Sequence, residues 1–563
     1  MEKLENLSPY AFLGKNEYRP KIARVVGYAA TMAGMIGLAA LWCFAPNSDH
    51  RKYYSHVPDG ATDAEKLAYR IEEGWRFLQL LLVLMLNYVG FPLLMVFPRK
   101  ATSSVLAFAF KTASISFLLI TFLHSMVSWH FDDDEIPLVH VILEASFGVA
   151  AAQIVFSSVE GNVSHFQVVV IAISVSVFYT LNLALNVRVF KVMDVGGSIL
   201  VHLFGGLFAL SCNLGLFGVN YTLHRADKTR AGYRAPDDGA WRTGDALGYA
   251  GTLILFVTWP AFAAGLTPLE HFFGSGFNCI IALCASSVSA FVSSALAREI
   301  ANKDGTFRFD NVDIINATLA GGVAVGATVD AALPFGIFVL LGVFVGFVSS
   351  FGFTFVSPFL LKKIGLHDTC GVLNLHVIPS IIGILWSLPV IYIILDNDGG
   401  DDVLSYAITE APHDSIAASV GYQIAGMLAT MFIAVCAGFT TGLVAGKLDP
   451  LTSSKTFDDE EWFRLEYPEM ESASETDVEA PLEPIKPSDP VPEPTIIDPT
   501  VDPIPDETPE TRDDQTLPEA ASADESALVA ANDSEGSVVD AEDQPIIVAP
   551  ESDEENLHSL HDE

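Results

Sequence analysis

Cysteine and basic residues are the two scarce groups in this chain. Six cysteines occur in 563 residues, all in or beside apolar segments, with no Cys-x-x-Cys spacing and no clustered histidine. A disulfide framework and a zinc site are therefore not expected. Only 30 Lys and Arg stand against 68 Asp and Glu, which gives a net charge of −38. Such a chain is not expected to bind nucleic acid, because that requires basic surface.

The acidic excess is concentrated at the end of the chain. Residues 448–563 hold 35 Asp and Glu against 4 Lys and Arg, and half of the 30 prolines follow residue 447. Such a segment cannot bury enough apolar surface to offset the entropy of ordering. We therefore expect 447–563 to be an acidic, Pro-rich, disordered cytoplasmic tail. It is either a solvated appendage or a partner-binding segment, with Trp462, Phe463 and Tyr467 as its docking side chains.

The rest of the chain has the hydrophobicity of a membrane protein. Hydrophobic residues make up 51% of the sequence, and the mean hydropathy is +0.40. A helix that crosses about 30 Å of hydrocarbon needs roughly 20 mostly apolar residues. The region 22–446 contains twelve such runs, so we predict an all-α transmembrane domain. The runs are 22–44, 77–97, 104–128, 138–158, 166–187, 196–218, 247–267, 272–296, 312–329, 332–358, 371–395 and 416–446.

The basic residues indicate how the spans are oriented. Lys and Arg number 17 on the segments that share a side with the N-terminus and seven on the opposite side. Cytoplasmic segments carry the excess of Lys and Arg in membrane proteins. We therefore expect an integral membrane protein with residues 1–21 and the tail in the cytoplasm, and we place it in the plasma membrane.

Two histidines lie within apolar runs, where an ionisable side chain is costly and marks a functional candidate. His202 follows Asp194, His376 follows Asp368, and both segments fit the pattern Asp-x-x-Gly-x-x-x-x-His. The first segment opens the sixth predicted span and the second opens the eleventh. Because five is an odd offset, the copies point in opposite directions. This is typical of an inverted five-helix repeat, whose interface near the midplane binds the transported species.

Helix geometry predicts that the two histidines meet. Each lies eight residues after its aspartate, about 12 Å along a helix. Two copies that enter from opposite faces of a layer about 30 Å thick therefore bring their imidazoles together near its centre. Each aspartate can cap its own helix N-terminus.

A pair of neutral imidazoles can share one proton, which suits a small neutral molecule that both donates and accepts hydrogen bonds. Ammonia is such a molecule. Desolvating an ammonium-sized ion costs several kcal/mol, whereas removing a proton from an amine whose pKa lies about two units above neutral costs roughly 3 kcal/mol. Deprotonation before transit is therefore the cheaper route.

At these residues the chain resembles the Rh glycoprotein branch of the ammonium transporter family. The segment 311–326 is similar to that branch's ninth-span signature, and Asp368-Thr-Cys-Gly371 with Asn374-Leu-His376 is similar to its eleventh. The resemblance implies the ammonium-transporter fold, a homotrimer with one pore per subunit, and no cofactor. It also implies that ammonium loses its proton at the outer vestibule and that ammonia then passes along a hydrophobic pore.

The resemblance implies roles for individual residues as well. His202 and His376 would be the twin pore histidines, Asp194 the buried acid near the entry, and Phe156 with Phe262 the stacked rings at the outer mouth. Supporting roles would fall to Asp368, Asn374, Glu144 and Asp330.

The outer mouth departs from the family pattern. Ala263 stands where a polar residue commonly follows the second phenylalanine, and Leu266 stands where microbial relatives have a serine that helps to bind ammonium. Leu183 occupies a position that is acidic in many Rh glycoproteins. Leu266 is similar to the Rh branch and implies weak, high-capacity recruitment, and Glu144 and Asp330 are the acids that remain at the mouth.

Three alternatives stay open at this point. The pore could conduct carbon dioxide instead of ammonia or together with it, because an apolar lumen passes any small neutral molecule. The domain could be an ammonium sensor or scaffold that signals through the tail. An ion-coupled transporter of a larger solute is less favoured, because no broken helix suited to a sodium site is evident. An enzyme is not expected, since the buried histidines lack a neighbouring nucleophile or metal ligand.

Overall fold

The computed structural model of this protein describes residues 18–44, 61–96, 101–131, 138–228, 242–366, 368–396, 415–448 and Asp459. Within these ranges all regular secondary structure is helical. Residues 1–17 of the predicted cytoplasmic segment 1–21 lie outside the described residues, as does nearly all of the predicted tail, including its aromatic residues.

Eleven helices in the described ranges are long and apolar enough to cross a membrane. Their existence follows from the apolar runs, and short π-helical turns interrupt several of them without ending them. The long helices are α1 (Tyr18–Phe44), α2 (Asp63–Leu94), α3 (Thr102–Phe131), α4 (Leu138–Val159), α5 (His165–Phe190), α6 (198–228), α7 (Arg242–Ala263), α8 (Leu269–Asn302), α11 (Phe335–Ile364), α12 (373–396) and α13 (Ile416–Leu448).

The predicted ninth span is not one continuous helix. It consists of α9 (Asn311–Ala317), α10 (Ala320–Val325) and a final 3₁₀ turn, Gly326–Thr328. The segment nevertheless runs the length of α8 in the antiparallel direction, because Asp313 bonds to Ser294 near one end and the carbonyl of Val329 accepts a hydrogen bond from Asn278 near the other. The ninth predicted span is therefore packed into the bundle, but the prediction of a regular helix over 312–329 was wrong.

Close backbone packing explains why this segment is broken and rich in small residues. A Cβ atom on Gly321 would lie 2.2 Å from the carbonyl oxygen of Ala282, and one on Gly326 would lie 2.6 Å from the carbonyl oxygen of Gly196. Only glycine permits such approaches. The neighbouring Ser198 side chain donates to the carbonyl of Val323 at 2.7 Å. The broken segment is thus bonded directly to the start of α6.

The two Asp/Gly/His motifs lie at opposite ends of the bundle. Next to the first motif, the backbone of Gly196 bonds to that of Gly326, and we call this end the Asp194 face. At the other end, Cys370 of the second motif donates to Glu160, the residue after α4, and we call this end the Asp368 face. The second motif lies beside the far end of α6, because Thr369 and Asn213 of α6 both donate to the carbonyl of Ser158. The helices α6 and α12 therefore enter the bundle from opposite faces, as an inverted repeat requires.

One residue of the tail is placed against the bundle. The Asp459 carboxylate accepts hydrogen bonds from the backbone N–H groups of Ser103 at 2.6 Å and of Ser104 at 2.9 Å. These groups lie in the first turn of α3, where helix N–H donors have no partner within the helix. Asp459 therefore caps α3.

Candidate functional site

Each aspartate of the repeated motif caps its own helix. Asp194 Oδ2 accepts the N–H groups of Ile199 and Leu200, both at 2.8 Å. Capping satisfies helix donors that would otherwise be buried without partners. The partners of the second aspartate, Asp368, are the N–H groups of Gly371 at 3.0 Å, Val372 at 2.8 Å and Leu373 at 2.9 Å.

The motif glycines turn the chain from the capping aspartate into the helix. Gly197 has φ +78° and Gly371 has φ +80°, in the left-handed region that glycine adopts at little cost. After each glycine comes a π turn that contains the histidine: Ser198–Leu203 before the rest of α6, and Leu373–Val377 at the start of α12. The two copies of the motif therefore share one local structure.

The structure brings the two histidines together. His202 Nδ1 lies 3.2 Å from His376 Nδ1, and the ring planes are inclined by 15°. The two residues are 1% and 3% exposed. Since one Nδ1 must donate and the other accept, one ring keeps an Nε2 acceptor and the other keeps an Nε2–H donor. His202 Nε2 is buried without a hydrogen-bond partner among the described residues. The pair thus offers donor and acceptor capacity beyond its mutual bond.

Aromatic rings surround this pair. The Trp259 ring lies 5.5 Å from the His202 ring, nearly parallel to it, and Phe262 lies 5.9 Å from the same ring. Phe91 lies 6.5 Å from the His376 ring. With this lining, a molecule beside the imidazoles would contact mainly apolar surface, where few groups could replace the water around an ion.

The ring that packs against Phe262 is Phe147, at a centroid separation of 4.4 Å and an angle of 49°. The expected pairing of Phe156 with Phe262 was wrong. Phe156 follows Phe147 by nine residues on the same helix, which places it about 13 Å further along α4 towards the Asp368 face. It is 2% exposed, and its carbonyl accepts the N–H of Glu160. Phe156 is therefore a core residue near the other end of the helix.

The predicted acids differ in their surroundings. Asp194 and Asp330 are 6% and 8% exposed, and each has one oxygen, Oδ1, buried without a hydrogen-bond partner among the described residues. Asp330 is near enough to act on Asp194 electrostatically. Glu144 lies on α4 and is bonded to the imidazole of His124 on α3.

The remaining predicted residues lie in the core. Asn374 donates from Nδ2 to the Ser357 hydroxyl at 2.7 Å. This bond attaches the π turn that contains His376 to the last part of α11. Leu183, at the position expected to have lost an acid, is buried in the main hydrophobic core.

Sequence reasoning missed four residues of this region: Phe147, Trp259, Phe91 and His124. The aromatic residues gave no signal, since phenylalanine and tryptophan are common in apolar helices. His124 could have been found, because an ionisable residue in a predicted span is a functional candidate by default. No group of three or more potential metal ligands occurs in the described part of the chain.

The fold and the site together define a class of protein. A bundle of membrane-crossing helices, with two inverted Asp-capped helix starts that join a buried histidine pair, is the architecture of a membrane channel or transporter. The chain belongs to the ammonium transporter family: residues 70–469 match the Ammonium Transporter Family.

Individual relatives place it in the Rh glycoprotein branch. It is 31% identical over 412 residues to mouse "Ammonium transporter Rh type B", covering 70% of this chain and 83% of the relative. It is 32% identical over 370 residues to the human type B protein, covering 63% and 75% respectively.

Solved structures show the same relationship. The chain from "Nitrosomonas europaea Rh50 and mechanism of conduction by Rhesus protein family of channels" matches with a TM-score of 0.57 and 26% identity, over 72% of this chain and 95% of that one. Saccharomyces cerevisiae Mep2 shares the fold, with a TM-score of 0.50 and 15% identity over 66% and 84%.

Proposed function

We propose that this protein conducts ammonia, taken up as ammonium and deprotonated in the vestibule at the Asp194 face. The route runs past the Phe147 and Phe262 rings to the twin histidines. The observation that carries the proposal is the 3.2 Å contact between His202 Nδ1 and His376 Nδ1 inside an aromatic enclosure. Family membership supports the same substrate.

The energetics favour the neutral species at the histidine pair. An ion that enters this enclosure loses water and gains no opposite charge, which costs several kcal/mol. Leaving the proton outside costs roughly 3 kcal/mol for an amine whose pKa lies about two units above neutral. Ammonia can donate to the free acceptor and accept from the free donor of the pair, so its own hydrogen bonds with water are partly replaced.

Flux into proteoliposomes tests the proposal. Stopped-flow measurement of internal pH after an ammonium jump should show uptake well above empty liposomes. His202→Ala and His376→Ala should lower the flux, because each leaves the remaining imidazole without its partner. His271→Ala, at the start of α8, is the matched control and should conduct like the wild-type protein. Wild-type flux in both pore variants would refute the role of the histidines.

The same vesicles separate the alternative functions. A carbon dioxide jump that acidifies wild-type vesicles faster than empty ones, with no response to ammonium, would support a carbon dioxide channel instead. Ammonium binding without flux would support a sensor.

The proposal includes a homotrimer in the plasma membrane with both termini in the cytoplasm. The family resemblance supports the trimer, and the distribution of Lys and Arg supports the orientation.

A further inference from the structure

A carboxylate and an imidazole meet on the Asp194 side of the paired phenylalanines. Glu144 precedes Phe147 by three residues on α4, which puts both side chains on one helix face about 4.5 Å apart along the axis. The Glu144 side chain is 24% exposed, while the His124 side chain that contacts it from α3 is 4% exposed. Glu144 is thus the accessible member of the pair, one helical turn outside the Phe147–Phe262 contact.

The hydrogen bond joins His124 Nε2 to Glu144 Oε2. An ionised carboxylate can only accept, so Nε2 carries the hydrogen in this state and donates it. No hydrogen bond to the other oxygen, Oε1, is found in the described ranges. Oε1 can therefore accept a hydrogen bond from a cation that arrives at the mouth.

Several charged or titratable groups surround this carboxylate. His124, His140 and Arg188 act on Glu144 electrostatically. Tyr179 of α5 interacts with both Glu144 and Asp194. Arg76 and Glu72 of α2 in turn act electrostatically on His140. Glu144 is thus a partly exposed carboxylate in a group of ionisable side chains from α2, α3, α4 and α5.

Asp194 is less suited to take a proton from the substrate. Its Oδ2 already accepts two backbone N–H groups, and the residue is 6% exposed. Its other oxygen, Oδ1, is buried. We therefore assign Asp194 as the residue that positions the helix of His202, and Glu144 as the more accessible carboxylate.

We propose that Glu144, held by His124, is the group that accepts the proton of ammonium before the Phe147–Phe262 pair. This rests on the proposed ammonia conduction. An N–H bond of ammonium breaks and its electron pair stays on nitrogen, while the hydrogen forms an O–H bond with Glu144 Oε1. Oε2 keeps the hydrogen bond from His124. Ammonia passes the rings, and the carboxyl returns its proton to water in the vestibule, so the proton does not cross with the substrate.

Glu144→Gln removes the acceptor and keeps the shape of the side chain. Ammonium-driven flux at fixed total ammonium should fall by at least about tenfold near pH 6, because the variant depends on ammonia formed in bulk water. That supply rises about tenfold per pH unit below the amine pKa, so the deficit should close as the pH approaches about 8.5. His124→Gln, which keeps a donor towards Glu144 but removes the imidazole, should show a smaller deficit in the same direction.

Glu160→Gln is the matched control. It is the same substitution at a buried carboxyl 16 residues further along, about 24 Å away at the Asp368 face, and it should keep the wild-type pH profile. Size-exclusion profiles and thermal unfolding of each variant identify any that do not fold. If wild-type vesicles conduct and folded Glu144→Gln follows the wild-type pH profile, the proton-acceptor role is refuted while ammonia conduction stands. If wild-type vesicles do not conduct, the proposed function itself fails.

Discussion

The cap at the start of α12 gives the sharpest test of how the histidine pair is held in place. Asp368 accepts three backbone N–H groups, those of Gly371, Val372 and Leu373, and is 2% exposed. Replacing it with alanine leaves those donors buried without their acceptor. Each unsatisfied buried donor costs about 1–3 kcal/mol, and local rearrangement recovers part of this. We expect Asp368→Ala to destabilise the protein by about 3–5 kcal/mol.

Thermal unfolding of the purified protein in detergent measures this effect. Unfolding of a protein of this kind is expected to be irreversible, so all variants are compared at one scan rate. The expected loss corresponds to a fall in Tm of roughly 5 °C or more. Asp368→Asn keeps one acceptor oxygen, which can hold Gly371 and Val372, and should show a smaller fall. Flux should decrease with Asp368→Ala as well, because the turn that carries His376 loses its anchor.

Asp304→Ala is the matched control, because this aspartate lies in an exposed turn, where it accepts hydrogen bonds from the hydroxyl and the backbone N–H of Thr306. It should leave Tm unchanged within error. A wild-type Tm for Asp368→Ala would refute the reasoning that the cap fixes the histidine turn, whatever its flux.

Two further predictions concern the ring pair and the broken segment. Phe147→Ala should change ammonium flux, because it removes the ring that contacts Phe262. Phe156→Ala should cost about 3–5 kcal/mol of stability but change the flux per folded molecule little. Equal effects of the two substitutions on flux would contradict the pairing of Phe147 with Phe262. Arg298→Ala removes the two hydrogen bonds, at 3.0 and 2.6 Å, that this guanidinium donates to the fully buried Asp313 carboxylate and leaves only the one from Ser294. It should destabilise the protein by about 3–5 kcal/mol, measured as a lower Tm than that of the exposed control Arg308→Ala.

The helical spans were predictable because the bilayer imposes a length and a composition on each of them. Eleven predicted spans appear as continuous helices in the described residues. The ninth was also recognised, but its interruption between Ala317 and Ala320 was not. Small residues signal close packing, yet whether the backbone bends depends on which neighbours approach it. In this protein the backbone of Ala282 approaches Gly321, which is 39 residues away in the sequence. The backbone of Gly196 approaches Gly326, which is 130 residues away.

The aromatic and acidic parts of the site were less predictable. Phe147 and Phe156 have the same chemistry and lie on one helix, so the sequence offers no physical reason to prefer one as the partner of Phe262. Glu144 was recognised as an acid of the fourth span, but its partner His124 lies on another helix, and only packing of α3 on α4 brings them together.

By itself the sequence determined the membrane class, the long apolar helices, the acidic composition of residues 448–563 and the meeting of His202 with His376. Each follows from local chemistry or from spacing along a helix of fixed rise. Tertiary structure decided which rings enclose the histidines, where the ninth span breaks and which base holds Glu144. These depend on the side chains that neighbouring helices bring together, and residues distant in the sequence become neighbours only when the helices pack.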